Sequence, residues 1–287
     1  MPDASPASRD VRSQLFVPGN RADRFDKACQ TAADLVCIDL EDAVGSADKT
    51  AAREATLGWL ADTEHRHVGL RINPLDTDAG AADVRALAGS DLALPFVMIP
   101  KAESTNALAR LDAALPNALG PFFIILETAR GLVRSLEQLE HSRVAYAMYG
   151  AVDYAGDVGC SSEWDAHLAN RCKLVREAAA CGVALLDSPH TAIRDLESLR
   201  ASTLRAKALG LHARSAIHPA QIPVIHDALS PTPEEVEWAE SVMEAFAAAE
   251  GNVATLHGEF IEEPVAKRAR RILARAHLGR TRGETNS

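Results

Sequence analysis

The chain has 287 residues, 47% of them apolar and only 5% aromatic, and its 30 basic against 40 acidic side chains give a formal charge of −10. The composition is globular. The length suits two small domains or one α/β barrel with an appendage. The acidic balance excludes a nucleic-acid partner recruited by a whole-molecule field, so an anionic ligand would need a local basic patch.

Cys29, Cys37, Cys160, Cys172 and Cys181 form an odd set with no C-x-x-C spacing. They fit neither a disulfide framework nor a thiolate zinc site and point to a reducing cytoplasm. The longest apolar runs, 92–100 and 121–126, are far shorter than the ~18–20 residues that span a bilayer. The first ten residues lack an apolar signal core. The expectation is a soluble intracellular protein with no membrane partner.

From residue 14 onward, short apolar or β-branched runs alternate with Ala/Leu/Glu/Arg stretches of helical character, the pattern of βα units around a parallel sheet. Strands are expected at 14–17, 35–40, 67–72, 96–99, 122–126, 145–149, 184–186 and 214–217, with helices at 21–32, 47–61, 79–89, 104–114, 131–140, 163–181, 192–209 and 220–228. Eight such units predict a closed (β/α)8 TIM barrel. The rival, a doubly wound open sheet, lacks its glycine-rich turn, because no G-x-G-x-x-G or G-x-x-x-x-G-K-[ST] follows any strand.

The pattern changes after Ser230. Thr232-Pro233-Glu234-Glu235 has the form of a helix start with a capping box. The Ala-rich helix runs to about Ala249 and is broken by Gly251, 253–261 reads as extended or turn structure around Gly258, and Pro264 opens a basic helix over 265–276. The reading is a catalytic barrel over 1–230 and a C-terminal helical extension over 231–287 that caps the sheet or reaches a neighbouring subunit.

In a (β/α)8 barrel the reacting groups come from the C-terminal ends of strands. The residues closing the runs are unusually charged: Arg21 after the first, Asp39, Glu41 and Asp42 at the second, Arg71 and Asn73 at the third, Lys101 at the fourth, Glu127 at the fifth, Asp153 after the sixth, Asp187 at the seventh and His218-Pro219 at the eighth. Glu127 and Asp153 stand one βα repeat apart, so both carboxylates can face one position at the mouth. Two carboxylates plus waters suit a hard octahedral ion such as Mg²⁺; equally, each could cap a helix or pair with Arg71 or Lys101. Arg71 could pair with Asp39, Glu41 or Asp42, or stabilise a developing enolate or carboxylate.

Arg21, Arg24 and Lys27 put three cations on the first turns of the first helix, either as an anion site for a phosphate-bearing tail or as a solvated face. Asp157 reads as a cap for the next segment. His65 and His67 read as surface histidines, and no G-x-S-x-G or serine–histidine pairing supports a hydrolytic triad.

Seven motifs in order span nearly the whole chain: R-S-Q-L-F-V-P-G-N-R-A-D-R-F-D-K-A (12–28), I-D-L-E-D-A-V (38–44), L-R-I-N (70–73), M-I-P-K (98–101), I-L-E-T (125–128), Y-G-A-V-D-Y (149–154) and A-I-H-P-A-Q-I (216–222). In these the chain resembles the citrate lyase beta-subunit-like branch of the dihydroxyheptenedioate aldolase and citrate lyase superfamily, which includes malyl-CoA and citramalyl-CoA lyases. The resemblance implies a Mg²⁺-dependent carbon–carbon lyase on a (β/α)8 barrel, a trimer or hexamer, acting on a 3-hydroxy-acid thioester of coenzyme A. It implies Glu127 and Asp153 as metal ligands and Arg71 as the arginine on substrate oxygen. Asp39, Glu41 and Asp42 would be the acidic strand end that orients metal-bound water and Arg71. Arg21, Arg24 and Lys27 would lie toward the CoA end, with Lys101, His218 and Pro219 among the substrate contacts.

The family's C-terminal G-x-M-I-D-x-P reads Gly258-Glu259-Phe260-Ile261-Glu262-Glu263-Pro264 here, with glutamate in place of aspartate at 262. Glu262 is then either a proton-transfer group of longer reach or the partner of Lys267 or Arg268. The competing activities are a citrate lyase beta subunit acting on an acyl-carrier-protein thioester, a malyl-CoA thioesterase, and an aldolase for free hydroxy-oxo acids.

Overall fold

The computed structural model describes residues 11–249, 253–256 and 258–283, with side chains to residue 277. Eight parallel strands close into a barrel in chain order: β1 Ser13–Pro18, β2 Leu35–Asp39, β3 Val68–Arg71, β4 Val97–Ile99, β5 Phe122–Leu126, β6 Val144–Tyr149, β7 Ala184–Asp187 and β8 Ala213–Ala216. β1 pairs with both β2 and β8, which closes the ring.

The crossovers carry α1 Phe25–Cys29, α2 Lys49–Asp62, α3 Asp78–Ala88, α4 Thr105–Ala114, α5 Ala129–Val133, α6 Ser135–Leu139, α7 Ala151–Val158, α8 Trp164–Cys181, α9 Leu196–Leu209 and α10 Gln221–Leu229. No helix among the described residues is long and apolar enough to cross a membrane, and all five cysteines are free.

Strands in such a barrel are covered on both faces, so they read as near-continuous apolar runs, and the period of two decides which side chains enter the interior. Leu35 and Cys37 on β2, Phe96 and Met98 on or beside β4, Phe123 and Ile125 on β5, and Tyr146 and Met148 on β6 form one buried cluster. Phe96 packs edge-on to Phe123 at 5.5 Å between ring centroids. Gly69 makes room for it, because a Cβ there would lie 2.5 Å from the Phe96 ring. Continuing the same alternation to the strand ends brings Asp39, Arg71 and Glu127 to the mouth. The interior packing therefore aims these charged groups.

Three helical expectations change, the one over 131–140 being two helices, α5 and α6. The first helix is a 3-10 turn, Ala22–Arg24, followed by the five-residue α1, and an additional helix, α7, follows β6 directly. The α7 sequence AVDYAGDV contains Gly156 and two valines, poor helix formers that hid it from the pattern.

The chain forms two compact units that meet between Ala228 and Leu229 in the sequence. The second unit contains α11 Pro233–Ala248, the antiparallel pair β9 Ala254–Leu256 and β10 Glu259–Ile261, and α12 Glu263–Gly283. Thr232 and Glu235 close a full capping box on α11, with Pro233 in the first turn. Ala239, Val242 and Phe246 of α11 pack with Ile261, Ala266 and Ala269. Gly251, the expected breaker of α11, lies outside the described residues.

Candidate active site

A cavity of about 370 Å³ opens at the C-terminal ends of the strands, lined by Asp39, Asp42, Arg71, Glu127, Asp153 and Ser188 among its polar groups and by Phe16, Met148, Val152 and Ile217 among its apolar ones. Its charged floor follows from strand register. Asp39 and Arg71 stand opposite each other on β2 and β3, and Arg71 Nε and Nη2 each donate to an Asp39 carboxylate oxygen at 2.6 Å. Asp39 also accepts the backbone N–H groups of Glu41 and Ala43. Arg71 Nη1 stands 2.9 Å from Glu41 Oε2 and 3.7 Å from Asp42.

The Arg71–Glu41 contact is an ion pair without hydrogen-bond geometry, and buried Glu41 Oε2 has no hydrogen-bond partner. The guanidinium lies over the Phe16 ring at 4.8 Å. Burial disfavours the Arg71 charge, but the Asp39 bonds and the Asp39 and Glu41 charges overcome that and raise its pKa. Burial lifts the Glu41 pKa against the pull of Arg71 and Lys101.

Lys101 follows β4 with φ +47°, the sole described non-glycine residue at positive φ. This backbone points its N–H at Glu127 Oε1, 2.8 Å away, while its Nζ reaches Glu41 Oε1 at 2.5 Å. An αL backbone at a lysine is strained and persists where the surroundings enforce it.

Glu127 is 2% exposed. Its pKa is pushed up to about 8, first by burial, then by the Asp153 and Glu41 charges. Its Oε2 lies against Gly150, where a Cβ would stand 2.6 Å from that oxygen and 2.4 Å from Glu127 Cβ. Asp153 sits in the first turn of α7, whose N-cap is Gly150. Neither Glu127 Oε2 nor the Asp153 carboxylate makes a hydrogen bond or ion pair with any described residue. Two carboxylates thus line one cavity, neither of them in an ion pair with a described residue. Among the described residues no group of three or more His, Cys, Asp or Glu is arranged to hold a metal ion. This pair of hard oxygen donors could hold a divalent cation that keeps part of its water shell.

The other expected positions separate. Asp42 lines the cavity. Arg21 is closed on Asp23 by two bonds of 2.7–2.8 Å, and Arg21, Arg24 and Lys27 are not among the cavity-lining residues. His218 and Pro219 are exposed in the turn after β8, with His218 Nδ1 accepting the Ala220 N–H; their neighbour Ile217 lines the cavity instead. Asp187 is buried on Arg171. Glu262 is exposed between β10 and α12 and pairs with neither Lys267 nor Arg268: the ion pair in this segment is Glu263–Arg270 at 2.6 Å, while Arg268 lies over Trp238.

Ser188 escaped the sequence reading, which collected charged residues at strand ends. Its hydroxyl accepts from Ala151 N at 2.7 Å and donates to Tyr149 O, so it fixes the start of α7. Its place directly after β7 was the available signal.

Comparison with known proteins identifies the family of the barrel. Residues 12–219 match the family model described as HpcH/HpaI aldolase/citrate lyase, and residues 168–279 match one described as C-C_Bond_Lyase of the TIM-Barrel fold. A citrate lyase subunit beta-like protein of Mycobacterium tuberculosis is 37% identical over 269 residues, 91% of this chain and 94% of the relative. A (3S)-malyl-CoA thioesterase of Cereibacter sphaeroides is 33% identical, covering 92% of this chain and 94% of its own. The crystal structure of protein CitE from M. tuberculosis in complex with magnesium, acetoacetate and coenzyme A superposes with a TM-score of 0.82 at 34% identity, over 94% of this chain and 99% of the other. With a closed eight-stranded barrel, acidic strand ends at its mouth and a family match over most of its length, this chain belongs to the HpcH/HpaI aldolase/citrate lyase family.

Proposed function

We propose that the protein is a Mg²⁺-dependent carbon–carbon lyase that cleaves a 3-hydroxy-acid CoA thioester, of the malyl-CoA or citramalyl-CoA type, into an acyl-CoA and a 2-oxo acid, or forms it by Claisen condensation. The observation that carries this reading is the pair Glu127 and Asp153, unpaired on one cavity beside an arginine locked in place. Two like charges, one of them buried, favour a cation between them, and oxygen donors of this kind fit Mg²⁺. The magnesium- and CoA-bound relative supports the same assignment.

In this reading Glu127 and Asp153 hold the ion. The chemistry a bound Mg²⁺ supplies there is Lewis-acid polarisation of the substrate hydroxyl and of the carbonyl it becomes. A base takes the hydroxyl proton, the carbon–carbon bond breaks to leave the 2-oxo acid, and its electron pair passes to the thioester as an enolate, whose α-carbon takes a proton from a general acid to give the acyl-CoA. Arg71, immobilised by Asp39 and Glu41, sets a positive charge where that enolate develops. Val152 and Asp153 contribute first-turn N–H groups of α7, which lack intrahelical acceptors, toward the substrate carboxylate. Lys101 balances Glu41 and holds Glu127, a supporting role distinct from the substrate contact expected of it.

The proposal includes a homo-oligomer, trimeric or hexameric, in which Glu262 of a second copy takes part in proton transfer, and a cytoplasmic location, supported by the free cysteines. The thioesterase relatives favour a second reading, hydrolysis of the same thioester.

One assay separates the two. Purified protein with Mg²⁺ and (3S)-malyl-CoA or citramalyl-CoA is followed for 2-oxo acid and for free thiol. The lyase releases 2-oxo acid without free thiol; the thioesterase releases free CoA with the hydroxy acid intact. No turnover of either ester would reject both.

A further inference from the structure

We propose that Asp157 is a positioning residue that sets the spacing between Glu127 and Asp153; the inference rests on reading that pair as the cation-holding group. α7 has eight residues and none of them is buried. A helix this short is marginal by itself; Tyr154 packs it against the Tyr149 and His167 rings, and polar ties hold its two ends. One tie is at its start, Ser188 on the Ala151 N–H. The other is Asp157, whose Oδ2 accepts the N–H of Ala129 at 2.7 Å.

Ala129 is the first residue of α5, and Thr128, which caps that helix through the Gly131 N–H, directly follows Glu127. Asp157 lies four residues after Asp153, on the same helix face. The connection therefore runs from Glu127 through Thr128 and Ala129 to Asp157, and one helical turn back to Asp153. It joins the segments that carry the two carboxylates, Glu127 directly after β5 and Asp153 in the first turn of α7.

The charge is placed against its own helix. A carboxylate in the last turn of α7 opposes that helix dipole, whereas at the first N–H of α5 it is favoured. The expected cap of the next segment is thus a cap of the preceding α5 instead. A local preference broken in this way marks a residue retained for a longer-range contact.

Mn²⁺ binding, measured by titration calorimetry or electron paramagnetic resonance on the full chain, tests the inference. Asp157→Ala is expected to weaken Mn²⁺ about 10–100-fold, as loss of an outer support does at metal sites, and to raise the Mg²⁺ activation constant while kcat recovers at saturating Mg²⁺. Asp157→Asn keeps an acceptor oxygen and is expected to stay near wild type. Asp157→Ser, too short to reach Ala129, is expected to follow alanine and serves if the alanine variant folds poorly. Wild-type affinity in the folded Ala or Ser variants would overturn the inference, and so would an Asn variant as weak as Ala, which would reduce the role to bulk charge. If wild type binds no Mn²⁺, or Glu127→Gln binds as well as wild type, the reading of the pair itself fails and takes this inference with it.

Discussion

Asp39 and Arg71 face each other across β2 and β3 as register partners and close a two-bond fork, with both N···O distances 2.6 Å. The fork fixes the guanidinium plane, and Nη1 is the arm that meets Glu41 without a hydrogen bond. A lysine cannot reproduce this, because its ammonium is a point charge without the planar fork. Arg71→Lys is expected to lower kcat by on the order of 10²–10³, the range for loss of an oxyanion-stabilising donor. Removing one partner of a buried pair costs about 3–5 kcal/mol, so Arg71→Ala is expected to unfold at clearly lower urea. Wild-type kcat in the lysine variant would remove Arg71 from the chemistry.

Glu127 links the site to pH. Its pKa, raised from 4.5 to about 8, means that the folded apo-protein keeps a proton which the unfolded chain has already lost. This contribution to stability is fully present below pH 4.5 and is lost as pH rises through about 8. A divalent cation competes with that proton. The rise in melting temperature on adding Mg²⁺ is therefore expected to be small at pH 5.5, to grow with pH and to level off above about 8. Differential scanning fluorimetry across this range measures it; a Mg²⁺ shift independent of pH would contradict the assignment.

Glu127→Gln removes the buried charge that repels Asp153. Apo-protein carrying it is expected to melt higher than apo wild type at pH 9, yet to gain nothing from Mg²⁺ and to show no lyase turnover. Full activity with an undiminished Mg²⁺ shift would take Glu127 out of the site.

Gly150 has its own consequence. A methyl group there would stand 2.4 Å from Glu127 Cβ, so Gly150→Ala is expected to push that side chain aside. Overpacking of this kind costs about 1–3 kcal/mol, visible in urea denaturation, and Mn²⁺ affinity is expected to fall by on the order of 10-fold or more. Unchanged affinity would mean that the carboxylate tolerates displacement.

In the second unit, Thr232→Ala deletes the capping-box hydroxyl that accepts the Glu235 N–H. The expected cost is about 1 kcal/mol, read as a lower unfolding midpoint. No change would mean that water caps α11 equally well.

The eight strands were legible because double-sided burial writes them as apolar runs, clearest in 122–126, FFIIL. The charged strand ends were legible for the same reason: Asp39, Arg71 and Glu127 break the apolar alternation where it reaches the mouth. What the sequence concealed are features without a periodic signal. α7 is only eight residues long and contains Gly156 and two valines, too short and too poor in helix formers to stand out. The Arg21–Asp23 pair is decided by local rotamers, and three basic residues read as a patch do not reveal that one is already engaged. The left-handed backbone of Lys101 is enforced by Glu127 and Glu41, which are 26 and 60 residues away in the chain. Ser188 acts through a hydroxyl, which charge counting passes over.

The joint hold of Glu127 and Asp153 on one divalent cation is read out by anomalous scattering from a crystal of the protein soaked with Mn²⁺. A single peak is expected within bonding distance of a carboxylate oxygen from each residue, at roughly 2.0–2.3 Å, and it is expected to vanish in Glu127→Gln. A peak bound to one residue alone, or two separate peaks, would contradict the joint hold.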